Sequence, residues 1–258
     1  MLTYRQLKLL ALGLLIALPG FGCTTMGRPE RQPLELDGPV TVHVDTFAGD
    51  VEVRAFMAGT GEQSFVQVNR EGHHAMNRGT DAAEAIEHIT WTTEIDRNDR
   101  GPVVVVKVTA QGDEQHTMRG HVLVQVPVLD GVTVRTTRGD IAVDEVTGPI
   151  ELVTTDGSVE LLSDQPVHGP LKILTSEGDV NVRLAPGTSG DLDFFAKDGR
   201  VGMHVKTGRM QIEPGTSNDM LSGVLNDGTK PFVIRTTHGV IRFTVKHNPK
   251  RFGIFHLD

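Results

Sequence analysis

Through the second half of the chain, apolar and polar residues alternate in short bursts, each burst broken by a glycine. The pattern reads VTVRTTRGDIAV from Val132, IELVTTDGSVEL from Ile150, LKILTSEGDVNV from Leu171, LDFFAKDGRVGM from Leu192 and FVIRTTHGVIRF from Phe232. A period of two is the signature of strands with one buried face, so each burst predicts two short strands joined at the glycine. The glycines Gly139, Gly157, Gly178, Gly199 and Gly239 are spaced by 18, 21, 21 and 40 residues. The last spacing is about two periods and predicts a degenerate unit around Met210 to Val224. An earlier copy, VHVDTFAGDVEV, starts at Val42. A repeat of this length with two strands per unit predicts a solenoid whose rungs stack their apolar residues into one column. The expected fold is all-β: a single-stranded right-handed β-helix with an inserted antiparallel strand layer and one short helix. Gly157 and Gly178 are expected at corners that a Cβ would strain. Pro149, Pro170 and Pro231 precede their strands and mark the opposite corner, where a missing backbone donor costs nothing.

Between the first copy and the others lies an insertion of about residues 55–128. It holds FVQV at Phe65, WTTEI at Trp91, VVVVKV at Val103 and HVLVQV at His121, together with DAAEAIEHI from Asp81 to Ile89. The first four predict antiparallel strands. The last predicts a helix with a capping box formed by Asp81 and Glu84. Such a layer would cover the N-terminal end of the stack, where an open rung exposes unpaired backbone groups. The stretch EGHHAMNRG reads as a solvated loop, in which Gly72→Ala should cost little.

The first 22 residues comprise a basic stretch with Arg5 and Lys8, an apolar core from Leu9 to Leu18, and Pro19-Gly20-Phe21-Gly22 before Cys23, the single cysteine of the chain. Ten apolar residues are too few to span a bilayer, which takes about 20, and the three zones are those of an export signal. The peptide resembles the bacterial lipoprotein signal, in which a small residue precedes a cysteine that is acylated before cleavage. Gly22 fits that pattern; Gly20 stands where leucine is usual. The resemblance implies residues 1–22 as signal peptide and lipidation of Cys23. Residues 23–33, polar and carrying two prolines, read as a tether, and residues 34–258 as the folded domain. Acyl chains on Cys23 would hold the protein on a membrane of the bacterial cell envelope, outer membrane or periplasm-facing. With one cysteine there is no internal disulfide, so packing and hydrogen bonds must supply stability.

The formal net charge is −8, and because the first 22 residues carry two cations and no acid, the remainder carries −10. Such a body repels phosphate backbones, and no segment gathers basic and aromatic residues, so nucleic acid is excluded as a partner.

From Leu36 to Val245 the order of units is specific: an opening TFAGDVEV, a helix-bearing insertion, a VPVLDGV bridge from Val126, then TTRGDIAV and TTDGSVEL. In this it resembles the "putative adhesin" family of bacterial envelope proteins with β-strand repeats. That resemblance implies a single-stranded β-helix and contributes no catalytic residues.

No cofactor or metal is expected. His73 and His74 are adjacent and would point to opposite faces of a strand, without Cys or an HExxH helix. There is no G-x-S-x-G elbow. Stacking the units in chain order aligns Arg138, Asp156, Glu177, Asp198 and His238 just before the corner glycines, with Asp140, Ser158, Asp179 and Arg200 just after. This corner ladder is the candidate ligand-facing site. Carboxylates on adjacent rungs, about 4.8 Å apart, approach the spacing glycoside hydrolysis uses, so a polysaccharide-active enzyme is the alternative to a non-enzymatic binding or scaffolding module for another envelope protein or polysaccharide. The tripeptide Arg138-Gly139-Asp140 is a repeat position. The threonines Thr136, Thr154, Thr175 and Thr236 are expected to bond backbone at the bend.

Overall fold

The computed structural model describes residues 23–56, 61–75 and 78–250; the expected signal peptide lies outside them. Along the chain come β1 (Cys23–Pro33), β2 (Pro39–Thr46), β3 (Val51–Ala55), β4 (Phe65–Ala75), α1 (Gly79–Glu87), β5 (Ile89–Asn98), β6 (Gly101–Ala110), a 3-10 turn (Gln115–Thr117), β7 (Met118–Val126), β8 (Val128–Thr136), β9 (Ile141–Asp144), β10 (Ile150–Val153), β11 (Val159–Ser163), β12 (Leu171–Leu174) and β13 (Val180–Leu184). The remainder comprises β14 (Gly190–Ala196), β15 (Arg200–Val205), β16 (Met210–Ile212), β17 (Met220–Leu225), β18 (Pro231–Thr236) and β19 (Val240–Val245). They form two sheets. One runs β1-β4-β7-β3-β9-β11-β13-β19-β15, the other β16-β17-β14-β18-β12-β10-β8-β2-β6-β5.

Each repeat gives one strand to each sheet, and the parallel registers stack equivalent residues. In one sheet Val132, Ile150, Leu171 and Phe232 stand side by side; in the other, Ile141, Val159, Val180 and Ile241 do so. All eight are buried, because the alternation places every second side chain between the sheets. Toward the C-terminal end Phe194, Phe232 and Phe243 fill the interior, with ring centroids 5.1 and 6.5 Å apart.

The stacking order departs from chain order. Unit β18/β19 lies between β12/β13 and β14/β15, so the chain passes beyond its neighbour and returns. Burial explains the choice. The inward residues of β18 and β19, Phe232, Ile234, Ile241 and Phe243, are all fully enclosed, whereas Val201 and Met203 of β15 are only half-buried and suit an edge. The stretch expected as a degenerate rung is instead an antiparallel hairpin, β16 and β17, that extends one sheet past β14.

The insertion does cover the other end, with a different composition from that expected. Strands β6 and β7 run parallel to β2 and β3 as a further rung, and only β4 and β5 are antiparallel additions. Residues 23–33, read as a tether, form strand β1, paired antiparallel with β4 over its whole length. An outermost strand tolerates Pro29 and Pro33 because its outer side needs no donors. Its polar side chains are used: Glu30 pairs with the partly buried guanidinium of Arg70 and accepts the Trp91 indole N–H at 2.9 Å, and Arg31 lies 3.5 Å from the centre of the Phe65 ring. The indole hydrogen bond, with Arg70 beside it and against some burial, holds the Glu30 carboxyl below its usual range. Arg70 also donates to the carbonyls of Ile86 and Ile89, tying β1, β4 and the end of α1 together.

Two local expectations are corrected. The stretch EGHHA belongs to β4, not to a loop. Gly72 lies beneath α1, where a Cβ would come 2.2 Å from the Ala82 carbonyl oxygen. The helix begins earlier than Asp81, with Arg78 at the N-cap and no side-chain cap; Asp81 lies in the first turn and pairs with Arg78.

Candidate functional site: the glycine corner

One edge of the stack is built from backbone contact. Taken in spatial order, Gly120, Gly49, Gly139, Gly157, Gly178, Gly239 and Gly199 form a column in which a Cβ on each after the first would strike the carbonyl of the one before, at 1.8 to 2.5 Å. At Gly139 and Gly178, φ is +138° and +149°, a region that side-chain-bearing residues avoid. Beside the glycines runs a column of buried threonines. Thr136 donates to the Gly49 carbonyl at 3.3 Å, Thr154 to Gly139 at 3.1 Å, Thr175 to Gly157 at 3.0 Å and Thr236 to Gly178 at 3.1 Å. The hydroxyls satisfy carbonyls that the bend turns away from the strand ladders.

The residues after the glycines are structural as well. The Asp50 carboxylate accepts the Asp140 N–H at 2.9 Å, Asp140 accepts that of Ser158 at 2.7 Å, and Asp179 accepts that of Val240 at 2.8 Å. Asp179 also accepts from Arg242 at 2.9 Å. The Val240 N–H first, then Arg242, hold the Asp179 carboxyl below the usual carboxylate range against partial burial. Asp140 and Asp179, expected in the ligand-facing ladder, thus also link successive rungs through their carboxylates.

The residues before the glycines are free to meet solvent. Arg138, Asp156, Glu177 and His238 follow one another through parallel bridges, and Asp198 stands beyond His238. This order replaces the expected one, which placed Asp198 before His238. His238 is 2.8 Å from Glu177 and 3.3 Å from Asp198, and the three side chains are 53 to 57% exposed. Arg138 reaches the carbonyls of Gln115 and His116 at 3.4 Å. The result is a mixed-charge row along an outer corner. It can offer hydrogen bonds and charge to a ligand lying along the stack, but it touches such a ligand from one side.

His73 and His74 do point to opposite sides of β4. His74 is buried beside Thr117, and His73 lies 3.2 Å from Glu71. Among the described residues no group of three His, Cys, Asp or Glu side chains is placed to hold a metal ion, and no helix is long and apolar enough to cross a membrane.

Sequence reading missed two members of the column. Thr46, in TFAG, donates to the Gly120 carbonyl at 3.2 Å, and Gly120 is the corner of the rung formed by β6 and β7. Its signal was Arg119-Gly120-His121-Val122, which matches the Arg138-Gly139-Asp140-Ile141 stretch.

The family model described as Toastrack DUF4097 matches residues 39–244. A solved structure described as a "putative cell adhesion protein" from Clostridium sporogenes superposes with a TM-score of 0.55 at 11% identity, covering 86% of this chain and 100% of that one. A "putative adhesin" from Bacteroides fragilis covers 84% of this chain and 96% of its own at 7% identity, with a TM-score of 0.31. No curated protein matches the sequence significantly.

Proposed function

The chain belongs to the Toastrack DUF4097 family, and from that premise we propose that it is an exported lipoprotein of the bacterial cell envelope. In this reading residues 1–22 are a signal peptide, Cys23 carries the lipid, and the stacked sheets form a non-enzymatic binding or scaffolding module for another envelope protein or a polysaccharide. The succession from β8 to β13 is read as a right-handed solenoid, on the general preference of parallel crossovers. The observation that carries a binding role is the split at the corner. One row of side chains is engaged in linking rungs, while Asp156, Glu177, His238 and Asp198 form an exposed line with the half-buried Arg138 at its end. The adhesive name of the Clostridium sporogenes structure is in keeping with such a module. An open line of charge suits recognition better than catalysis, which works in sites that surround the reacting group and exclude water.

The test is to incubate the purified domain with envelope proteins, peptidoglycan and uronate polysaccharides, scoring retention and turnover separately. Retention that weakens at least fivefold in Asp156→Asn/Glu177→Gln, with no new reducing ends, is the expected outcome. Turnover abolished by the same changes would overturn the assignment in favour of a polysaccharide-cleaving enzyme.

A further inference from the structure

The two ends of the stack are finished differently. At one end β1 is the outermost strand of its sheet and carries Pro29 and Pro33, and α1 packs against the adjoining β4. At the other end the outermost strands are β15 and β16, which hold no proline and have no helix over them among the described residues. Ile241 and Phe243 of β19 are fully buried, whereas Val201 and Met203, in register with them in β15, are half-buried, and Ile212 of β16 is 54% exposed. The apolar column thus stops at an open face, and an uncovered strand edge is a template for pairing with another chain. The hairpin β16/β17 carries one sheet two strands past β14, while the opposite sheet stops at β15. In β15 the Lys206 N–H donates to Val245 of β19 at 2.8 Å and the Val201 N–H to Asn218 on the other side at 2.7 Å, so by alternation the main-chain groups of Met203 and Val205 face the free edge. In β16 the Glu213 N–H donates to Ser222 at 3.0 Å and the Arg209 carbonyl accepts from Asn226 at 2.9 Å, so those of Met210 and Ile212 face its free edge.

We propose that two copies of the chain join at this end, about a two-fold axis that runs along the strands midway between the sheets. Such a rotation exchanges the two sheets and preserves strand direction. Strand β15 runs back across the corner from β14, and the hairpin gives β16 the direction of β14. Strand β16 of one copy therefore lies antiparallel beside β15 of the other, twice in the pair. Met203 stands opposite Ile212 and Val205 opposite Met210, so the parity of side chains and of main-chain groups matches at both positions. The two connections of residues 206–209 lie side by side, one strand spacing of about 4.8 Å apart, as successive rungs do. The half-buried side chains of one copy close onto those of the other, and both sheets run through the pair unbroken. Charge agrees with this register. Glu213 comes beside Gly202 of the second copy, between Arg200 and His204, while Arg209, which meets Lys206, is already paired with Asp227 at 3.3 Å. Because the contact uses both free edges of this end, the assembly closes at two copies.

The test is made on the full chain in a Cys23→Ser background, which leaves no native thiol. In the proposed seam the exposed residues His204 and Gln211 form the pair without main-chain hydrogen bonds between them, with Cα atoms about 4.5 Å apart, within reach of a disulfide. His204→Cys and Gln211→Cys are purified separately, then oxidised alone and mixed, at micromolar protein. A covalent dimer forming at least tenfold faster in the mixture than in either variant alone is expected, because each position faces the other and neither faces its own copy. Equal rates in all three samples, or fastest closure in one variant alone, would overturn the proposal. Sedimentation reads the same contact without added cysteines. The Cys23→Ser chain should form dimers and Ile212→Arg, with an unchanged melting temperature, monomers; a chain that sediments alike with and without Ile212→Arg overturns the proposal.

Discussion

Replacing Gly178 by alanine puts one methyl group into the corner column. The new Cβ would lie 2.2 Å from the Gly157 oxygen and 2.5 Å from its carbon, so the rungs must part there by about 1 Å. They are held together by the Gly157 N–H on the Glu177 carbonyl at 2.8 Å and by the Thr175 hydroxyl on the Gly157 carbonyl at 3.0 Å. Weakening both costs about 1 kcal/mol each. The backbone at φ +149° adds about 1 to 2 kcal/mol for a residue with a side chain. The expected loss is about 3 to 4 kcal/mol, a large fraction of the stability of an ordinary domain. Gly202→Ala is the matched control: it lies in β15 at an ordinary φ, with nothing nearer its Cβ than the Ile241 oxygen at 3.8 Å, and should change stability by less than about 0.5 kcal/mol. Urea unfolding followed by far-UV circular dichroism reads both. With a slope of about 2 to 3 kcal/mol per molar, Gly178→Ala should lower the midpoint by at least about 1 M. Midpoints for the two variants that agree within about 0.3 M would refute the close-contact argument.

Three further outcomes follow from the same contacts. Because the folded Asp179 carboxyl titrates below its unfolded value, its contribution is present above the unfolded pKa and is lost as pH falls through the folded one. Asp179→Asn should therefore be less stable than the parent at pH 7 and converge on it as the pH falls below the usual carboxylate range and through the lowered pKa of the folded state, and a gap that stays constant with pH would contradict this. Arg70→Leu removes the bonds to Glu30, Ile86 and Ile89 and should loosen β1 and α1 by about 2 kcal/mol. Segment-resolved hydrogen exchange should show this there and leave residues 150–184 unchanged. Gly72→Ala, harmless if the stretch were a loop, should lift α1 from β4 and cost about 1 to 3 kcal/mol in thermal unfolding; an unchanged melting temperature would mean that α1 yields freely.

How far the fold could be read from residues depended on how local each determinant is. The Thr–Gly corner was legible because its parts recur within one unit: Thr136 with Gly139 and Thr154 with Gly157 each lie three residues apart, and the alternation around them fixes which face is buried. The placement of β18/β19 inside β14/β15 was not, since nothing within either unit encodes its neighbour; only the match of Phe232 and Phe243 to the interior decides it. Strand β1 was missed because Met26 to Pro33 lacks apolar alternation. Its order comes from Glu30 meeting Arg70 and Trp91, residues 40 and 61 positions away. The candidate site was half legible. Repeat alignment grouped Arg138, Asp156, Glu177 and His238 with Asp140 and Asp179, but the backbone N–H that each of these two aspartates accepts belongs to a partner rung and was not legible within the unit.

The claim that the module is held on a membrane by its first residue is tested most directly by mass spectrometry of the protein purified with detergent from the membranes of its own host. Trypsin should release residues 23–31, since the Arg28–Pro29 bond resists cleavage, and the account predicts that this peptide begins at Cys23 and carries acyl chains. The mass should revert to that of an unacylated species, and fatty-acid labelling should vanish, in Cys23→Ser. A mature protein whose first peptide extends to residues before Cys23, or begins there with an unmodified thiol, would contradict it.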